Sequence, residues 1–514
     1  MSHPTESRVK KTMLNARVNM IFYFLTLLLS FFSRKIFLGC LGAEFVGLTG
    51  TLHNLLGFLN LAELGIGSAI GYVLYKPIFE NDKKTINEII SVMGYLYRWI
   101  GCIILGLGCL LACFLPLIFP NTGFNLGLIY FAYFSFLFSS LIGYFINYRQ
   151  NLLGADQRNY VVTGYYQTIN LLKTLIQMAS AYYTGSYLLW VVIEFSFGII
   201  YAFILNWKIN QTYPWLKSDI KHGRLLFKKY SDVMKYTRQL FVHRISAFVQ
   251  FQISPILIYT FVSLQTVALY GNYTMLFDKV TQLFNSLLGS AGASIANLIA
   301  EGNKDKILRV FWEIMSIRFF ITGTVICCFY ILTEPFICLW LGSEYVLPRE
   351  ILLLLLINFY IGMSRGADSF LYGFGLFNDT WAPIAESIIY VIVAIVCGNV
   401  WGLKGVVLAT TISTAIIVGV WKPYFLFSKG FKLNVFFYWK KWFKFLLVII
   451  INVLIVSLII RNTIIFDSNF LNFLFKALAV GVIVLIHNFC AFYIAFKSFK
   501  NAFRVYVLDR YIKK

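Results

Sequence analysis

The feature that most constrains this chain is a series of apolar windows, each about 20 residues long, that recurs from one end of the sequence to the other. A helix of that length crosses the hydrocarbon core of a bilayer, which is about 30 Å thick. Of the 514 residues, 59% are hydrophobic and only 13% are charged, whereas soluble domains carry about a quarter charged residues. The sequence therefore predicts an all-α, polytopic integral membrane protein.

Fourteen spans are predicted when hydropathy is read together with charge. Lys and Arg concentrate in the connections after even-numbered spans, except the one around Asn378, whereas the connections 116–123 and 182–186 contain none. Because positively charged connections stay on the cytoplasmic side, both termini are predicted to face the cytoplasm. The predicted spans lie near residues 15–40, 46–75, 89–117, 124–147, 161–183, 187–206, 239–262, 267–300, 308–333, 350–374, 383–400, 404–426, 443–460 and 470–496.

The net charge of +22 at pH 7 raises the question of nucleic-acid binding. The basic residues lie in short connections between apolar segments and in the tail after Phe496, which is the pattern of a membrane protein and not of a nucleic-acid surface. The nine cysteines form no C-x-x-C pair, so neither a metal site nor a disulfide framework is predicted. No Walker A sequence, nucleophile elbow or H-E-x-x-H sequence is present, and the chain is not expected to be an enzyme.

Internal repetition indicates two related halves. The segment EFVGLTG at 44–50 recurs as QTVALYG at 265–271, at an offset of 221 residues, and Arg98 lies opposite Arg318 at an offset of 220. Six spans per copy make both halves enter the membrane in the same direction, which is a transporter architecture with the substrate path between the halves. The predicted domains are an N-terminal six-helix bundle (1–206), a basic cytoplasmic amphipathic linker (207–238), a C-terminal six-helix bundle (239–426), and accessory helices 13 and 14 with a basic cytoplasmic tail (427–514).

The linker carries eight Lys and Arg residues between Trp207 and Arg238. Its segment Lys221–Lys235 is predicted to form an amphipathic helix on the inner membrane surface. Leu225, Leu226 and Phe227 are expected to meet lipid, and the basic residues are expected to contact anionic headgroups.

Polar residues recur on one face of spans 1, 5 and 7. At 100° per residue, each of the sets in spans 1 and 7 stays within one sector, and these two stripes superpose at an offset of 220 residues. They are either seams between packed helices or the wall of a water-filled, substrate-binding cavity, and they cannot face lipid, where their groups would lack hydrogen-bond partners. The stripes are Asn15, Asn19, Tyr23, Thr26, Ser30, Ser33 and Arg34; Thr163, Gln167, Asn170, Thr174 and Gln177, with Lys173 beside them; and Gln239, His243, Ser246, Gln250 and Ser254.

Eleven charged residues fall inside predicted spans, where each costs about 2.5–3.5 kcal/mol at mid-membrane. Each is expected to face a cavity or a partner, and they are candidates for gating. Arg98 and Arg318 could instead extend to the membrane surface, and Asp278–Lys279 and Arg365–Asp368 could form local pairs that hold helices together. The charged residues are Arg34, Arg98, Lys173, Lys279, Arg318 and Arg365, and Glu63, Glu194, Asp278, Asp368 and Glu386.

The segment NLAELGIGSAIGYVLYKP at 60–77 combines a buried carboxylate, Glu63, with the small-residue pattern Gly67-x-x-x-Gly71. Small residues permit close helix approach or a bend. The segment is therefore either a part that moves against its neighbours or a static seam in which a neighbouring donor satisfies Glu63. Among the cations, Arg34 is the first candidate for substrate binding because it ends a polar stripe about 12 Å from Gly42.

The segment LGAEFVGLTGTLHNLLGFLNLAELGIGSAIGYVLYKPIFENDKKTI at 41–86 strongly resembles the polysaccharide-exporter family of lipid-linked oligosaccharide flippases, and LLGADQRNY at 152–160 resembles that family's loop after the fourth span. The family belongs to the superfamily that also contains the multidrug and toxic-compound extruders. The resemblance implies a protein of the cytoplasmic (inner) membrane that moves an undecaprenyl-diphosphate-linked oligosaccharide to the outer leaflet by alternating access, for surface polysaccharide biosynthesis. It also implies that spans 13 and 14 are accessory helices, and Arg34 and Lys35 lie where related flippases place cations.

The implied partners are the lipid-linked oligosaccharide, membrane lipids and other glycan assembly proteins, with no nucleic acid. No cofactor or metal is expected, and coupling to H⁺ or Na⁺ stays open. The alternatives are a drug/cation antiporter of the sister family, a membrane glycan polymerase or ligase, and a scaffold for glycan assembly. An antiporter would require an anionic cavity, and its candidate residues are Glu63, Asp278, Asp368 and Glu386.

Overall fold

The computed structural model describes residues 8–59, 63, 66–120, 122–230, 252–288, 295, 298–299, 301–376, 379–463 and 469–504. Every regular element in these ranges is a helix, which confirms the predicted fold class. The chain divides into two compact units, Met1–Ala268 and Leu269–Lys514. By residue number, the predicted linker and predicted span 7 fall within the range of the first unit. The predicted division into four domains stays a prediction.

The first unit is built from the helices of the first six predicted spans and from shorter helices between and after them. Its described helices share a large cluster of buried apolar side chains, to which most of them contribute. The helices are α1 (Arg8–Leu59), α2 (Ile66–Glu80), α3 (Lys83–Ala112), α4 (Leu115–Ile118), α5 (Leu126–Phe145), α6 (Gln150–Ala155), α7 (Asn159–Thr184), α8 (Tyr187–Thr212), α9 (Ile220–Leu226) and α10 (Gln252–Phe261), and α11 (Leu264–Leu288) begins at its end.

Helix α1 consists of two helices joined at Gly42, whose φ of 85° and ψ of 159° are not helical. Glycine adopts a positive φ at little cost because it has no Cβ. The break lies between predicted spans 1 and 2, so one 52-residue element accommodates the change of direction between them. Helix α1 ends at Leu59 and α2 begins at Ile66, which places Glu63 between two helices.

The second unit contains the remaining predicted spans. Buried apolar side chains of the helix Lys304–Trp340 and of the last two long helices pack together around Cys327. A buried amide pair joins these last two helices, because Asn452 Nδ2 donates to Asn488 Oδ1 at 2.7 Å. The helices are the rest of α11, α12 (Lys304–Trp340), α13 (Arg349–Gly373, with a 3₁₀ turn at Ser364–Ala367), α14 (Trp381–Trp401), α15 (Leu403–Phe431, with π turns at Ala415–Trp421 and Leu426–Phe431), α16 (Phe436–Thr463), α17 (Phe470–Ala495) and α18 (Lys497–Phe503).

Ten helices in the described ranges are long and apolar enough to cross a membrane. Helix α1 is one of them and covers predicted span 1 and the first part of predicted span 2, whose last part lies in α2. Predicted spans 5 and 8 correspond to α7 and α11, which are long but more polar, and α10 covers the last part of predicted span 7. Each predicted span therefore coincides with a helix over part or all of its length.

The described part of the predicted linker that follows α8 packs along α3. The backbone amide of Lys217 donates to Asn87 Oδ1 at 2.8 Å, and that of Asp219 donates to Ser91 Oγ at 2.9 Å. Gly223 approaches α3 so closely that a Cβ there would lie 2.3 Å from the carbonyl oxygen of Ser91. The absent side chain is thus a condition of this packing.

The expected amphipathic helix is confined, within the described part of this segment, to α9 at Ile220–Leu226. Leu225 is exposed, as a lipid-facing residue would be, whereas Leu226 and Phe227 are half-buried and pack against the core of the first unit. The contact of these residues with lipid stays a prediction. Lys229 Nζ lies 2.6 Å from Glu88 Oε2, and this hydrogen bond raises the pKa of Lys229. At least this basic residue of the linker therefore binds a carboxylate of the protein.

Candidate functional site

A polar cavity of about 430 Å³ lies inside the first unit, among α1, α5, α7 and α8. Its wall mixes aromatic rings with hydroxyl, amide and charged groups, which is typical of sites that bind polar ligands inside an apolar protein. It is lined by His53, Phe136, Ser139, Ser140, Ile142, Gly143, Asn147, Gln150, Tyr166, Ile169, Asn170, Lys173, Glu194, Phe197, Gly198 and Tyr201.

The charged part of the wall is an ion pair between Lys173 on α7 and Glu194 on α8. Lys173 Nζ lies 2.6 Å from Glu194 Oε1, and the two side chains are 18% and 19% exposed. Gln177, one turn further along α7, donates from Nε2 to Glu194 Oε2 at 2.9 Å. Both oxygens of the carboxylate are therefore engaged, and the ammonium group remains at the cavity wall beside Asn170.

The cavity wall also contains His53, whose ring stacks on Phe136 with centroids 4.3 Å apart. Two further polar atoms there, Ser139 Oγ and Asn147 Oδ1, are buried and have no hydrogen-bond partner among the described residues. A buried polar atom without a partner costs about 1–3 kcal/mol. Water or a polar ligand in the cavity would supply the missing partners.

The sequence stripes contribute to this cavity unequally. Asn170 and Lys173 of the span 5 stripe line it, whereas Gln167 is not in its wall. His53, Asn147 and Ser139 were missed, because an isolated polar residue in an apolar window has no periodicity to reveal it. Gln239, His243, Ser246 and Gln250 of the span 7 stripe lie outside the described residues.

The span 1 stripe is half-buried along α1, and Asn19 is exposed. Two of its hydroxyls bond within the helix, since Thr26 Oγ1 donates to the carbonyl oxygen of Phe22 at 2.7 Å and Ser30 Oγ to that of Leu27 at 2.6 Å. These two hydroxyls are satisfied without a cavity.

Both ends of the span 1 stripe bind other elements of the first unit. Asn15 Nδ2 donates to the carbonyl oxygen of Gln157 at 2.9 Å, and Asn15 Oδ1 accepts from the amide of Tyr160 at 2.6 Å, which fastens α1 to the start of α7. Arg34 Nη2 donates to the carbonyl oxygen of Ala268 at 2.9 Å, which fastens α1 to the first turns of α11. Tyr23 lies between them and is half-buried.

Glu63 is held by two hydroxyl donors from neighbouring helices. Tyr97 on α3 donates to Oε1 at 2.6 Å, and Tyr144 on α5 donates to Oε2 at 2.8 Å. Asn151 Nδ2 donates in turn to the Tyr97 hydroxyl at 3.3 Å, and Gly67 packs against that hydroxyl. This arrangement is the one expected if the segment 60–77 is a static seam in which neighbouring donors satisfy Glu63.

Besides the exposed pair Lys404–Glu350, two ion pairs with buried or half-buried carboxylates join helices in the described part of the second unit, and they differ from the predicted Arg365–Asp368 pair. Arg365 Nη2 binds Glu386 on α14, whose side chain is 1% exposed. Asp368 Oδ2 accepts from Lys422 on α15 at 2.7 Å. Each carboxylate thus pairs across helices, where a pair also holds the helix packing together. Lys422 was missed because it lies near the predicted end of its span and resembled a flanking charge.

The remaining candidate charges are on the surface or bonded to the backbone. Arg98 is exposed on α3, as expected of a side chain that extends along the protein surface, and Asp278 is exposed beside Lys279. Arg318 is half-buried and bonds to the backbone of α13. Its Nε donates to the carbonyl oxygen of Met363 at 3.3 Å, and its stem covers Gly366.

A comparison with protein-family models gives no match, and neither does a comparison with curated proteins. Among solved structures, the lipid II flippase MurJ in an inward closed conformation matches with a TM-score of 0.63 and 16% identity, over 92% of this chain and 98% of that chain. An inward-facing multidrug resistance MATE family transporter of the MOP superfamily matches with a TM-score of 0.58 and 16% identity, over 80% of this chain and 97% of that one.

At such low identity these likenesses establish the fold and nothing finer. They extend over nearly the whole length of both solved chains, so the likeness is one of complete architecture rather than of a few helices. The chain is therefore an all-α, multi-pass membrane protein with the fold of the MOP-superfamily transporters.

Proposed function

We propose that this protein is a flippase that moves an undecaprenyl-diphosphate-linked oligosaccharide across the cytoplasmic membrane by alternating access, for surface polysaccharide biosynthesis, with both termini on the cytoplasmic side. The observation that carries the proposal is the extent of the fold likeness. The solved lipid II flippase accounts for 92% of the chain, against 80% for the multidrug transporter, and with the higher TM-score. A flippase of a lipid-linked substrate is therefore favoured over a drug transporter.

The chemistry of the cavity agrees with a glycan substrate. Sugar hydroxyls need both donors and acceptors, and the wall offers Ser139, Asn147 and Asn170 beside the ammonium of Lys173. A diphosphate needs cations, because charge-assisted hydrogen bonds to Arg and Lys are the strong ones. We assign two cations of the first unit to the substrate path, namely Lys173 and Arg34.

The antiporter alternative is weakened because most of its candidate carboxylates already bind donors within the protein. It requires an anionic cavity, but Glu386 is paired with Arg365 and Asp368 with Lys422, and Glu63 accepts from two tyrosines. Most of the negative charge on which a cationic drug would depend is already met by donors of the same unit.

The proposal is tested by reconstituting the purified protein with a fluorescent undecaprenyl-diphosphate-linked oligosaccharide in vesicles. A reductant that cannot cross the membrane measures the fraction of substrate in the outer leaflet over time. Flipping should exceed that of protein-free vesicles, and imposed H⁺ and Na⁺ gradients identify the coupling ion. Absence of flipping under every gradient, together with transport of a cationic drug, would replace the proposal with the antiporter.

Arg34 provides the residue-level test. The Arg34→Ala variant should abolish glycan export while the protein still accumulates, and Arg34→Lys should recover part of it, because the charge survives but the bidentate guanidinium does not. If Arg34 serves only to fasten α1 to Ala268, the Ala variant will instead lose abundance and thermal stability. Normal export by a stable Arg34→Ala protein would remove Arg34 from the substrate path.

A further inference from the structure

The second unit contains an apolar groove of about 470 Å³ between α12, α17 and α18. Every side chain in its wall is a hydrocarbon or an aromatic ring. The wall is formed by Ile317, Phe320, Ile321, Leu485, Ile486, Phe489, Phe499, Ala502 and Phe503.

Helix α18 closes the groove because the chain bends between α17 and α18. Phe496 is extended, with φ of −128° and ψ of 108°, so α18 does not continue the axis of α17. The ring of Phe499 then packs on Phe320 of α12, with centroids 4.9 Å apart, and on Phe492 of α17, at 5.8 Å. One face of α18 is thereby fixed as a wall.

The other face of α18 is basic. Lys497, Lys500 and Arg504 follow at intervals of three and four residues, which places them on one side of the helix, and all three are exposed. Lys500 Nζ lies 5.2 Å from the ring centroid of Tyr493. That ring stacks on Phe489 of the groove wall at 5.8 Å, so the cationic face adjoins the groove.

We infer that this groove binds one hydrocarbon chain of an anionic phospholipid, whose headgroup is held by Lys497, Lys500 and Arg504. A peptide does not fit, because its backbone N–H and C=O groups would be buried without partners among nine apolar side chains. A lipid chain has no such groups. Cationic residues beside a membrane attract anionic headgroups. The apolar face of α18 therefore binds the hydrocarbon chain of the phospholipid, and its basic face binds the headgroup.

The site is distinct from a path for the transported substrate. A transported headgroup must leave the membrane surface and pass polar groups on its way, but the groove wall offers none. Only a lipid whose headgroup stays beside the basic face of α18 is accommodated. The groove is therefore a fixed lipid site that holds α18 against α12 and α17.

The test is a titration of the full-length protein in detergent with dioleoyl-phosphatidylglycerol or dioleoyl-phosphatidylcholine, followed by native mass spectrometry. The phosphatidylglycerol should bind at least about tenfold more tightly, since each basic residue contributes attraction. Replacing Lys497, Lys500 and Arg504 together by Gln should reduce this preference to less than about twofold. These residues are exposed, so the variant should fold.

A matched control replaces Lys221, Arg224 and Lys228 by Gln, which removes the same charge from exposed positions in the first unit and should leave the preference intact. Ala502→Trp, which fills the groove, should weaken both lipids. Equal binding of the two lipids, or an equal loss of preference in the control, overturns the inference. Displacement of the bound lipid by inorganic phosphate also overturns it, because the site would then be a simple anion site. Preferential displacement by undecaprenyl diphosphate overturns it as well, because the groove would then be part of the substrate path.

Discussion

The two units treat buried polar groups differently. In the second unit the acids Asp368 and Glu386 pair with cations from neighbouring helices, and both pairs hold helices together. In the first unit Glu63 is held by neutral hydroxyls, and the pair Lys173–Glu194 stands at the wall of a cavity. The comparison teaches that an ion pair between helices can lie within the helix packing in one unit and border a cavity in the other.

The largest expected effect on stability is that of Lys422→Met in the second unit. Asp368, whose side chain is only 17% exposed, would lose its ion-pair partner, and its buried Oδ1 already has no hydrogen-bond partner among the described residues. Breaking a buried ion pair costs about 3–5 kcal/mol. Thermal unfolding of the purified protein should show this loss, and the second change Asp368→Leu should restore much of it. Lys429→Met, an exposed lysine on the same helix, should change little. A stable Lys422→Met protein would contradict the packing role of the pair.

The equivalent change in the first unit, Lys173→Met, should cost less, about 1–3 kcal/mol. Glu194 keeps the hydrogen bond from Gln177, and the cavity gives it access to water. Glycan flipping should nevertheless fall at least about tenfold, because one charge-assisted contact to substrate is worth about 1.4 kcal/mol or more. The flipping assay and thermal unfolding are measured on the same preparation. Unchanged flipping would show that the cavity does not carry substrate.

Removing one donor to Glu63 should have a smaller effect. Tyr97→Phe and Tyr144→Phe should each destabilise the protein by about 1–2 kcal/mol, as expected for the loss of a hydrogen bond to a charged acceptor. The two effects should not add, because both hydroxyls serve one carboxylate. Tyr130→Phe, a half-buried tyrosine on α5, is the matched control. If the variant with both changes keeps full stability and flipping, the hydrogen bonds to Glu63 contribute to neither. If it keeps full stability but loses flipping, the segment around Glu63 is a part that moves during transport.

The smallest stability effect is expected for Gly198→Ala, which narrows the cavity. The new Cβ would lie 2.7 Å from Ser139 Oγ, a side chain that can rotate away. Alanine favours a helix over glycine by up to about 1 kcal/mol, so stability should stay within about 1 kcal/mol of the original. Flipping should still decrease, whereas Gly164→Ala on α7, which meets open space, should leave it unchanged. Equal flipping by both variants would argue against substrate in the cavity.

The sequence predicted the elements of the fold well, because apolar length and charge asymmetry are local properties. It also identified most of the buried charges. It did not predict their partners. Arg365 and Asp368 are three residues apart, yet each binds a different helix, and that choice depends on how α13, α14 and α15 pack.

The same limit applies to the cavity. Asn170 and Lys173 belonged to a periodic stripe and could be found, whereas His53 and Asn147 are single polar residues in apolar segments. The expected path between the halves is not what brought these residues together; the packing of four helices within the first unit did. Periodicity reveals one wall of a site, and only tertiary structure supplies the others.

The segment that runs along α3 after α8 has a consequence for dividing the gene into two co-expressed halves. A cut after residue 206 would remove Leu216 from the first half's apolar core and the partner of Glu88 from its surface. A cut after residue 230 keeps both within one polypeptide. The first product of a split gene should therefore extend at least to Tyr230, well beyond the last apolar residues of its sixth span.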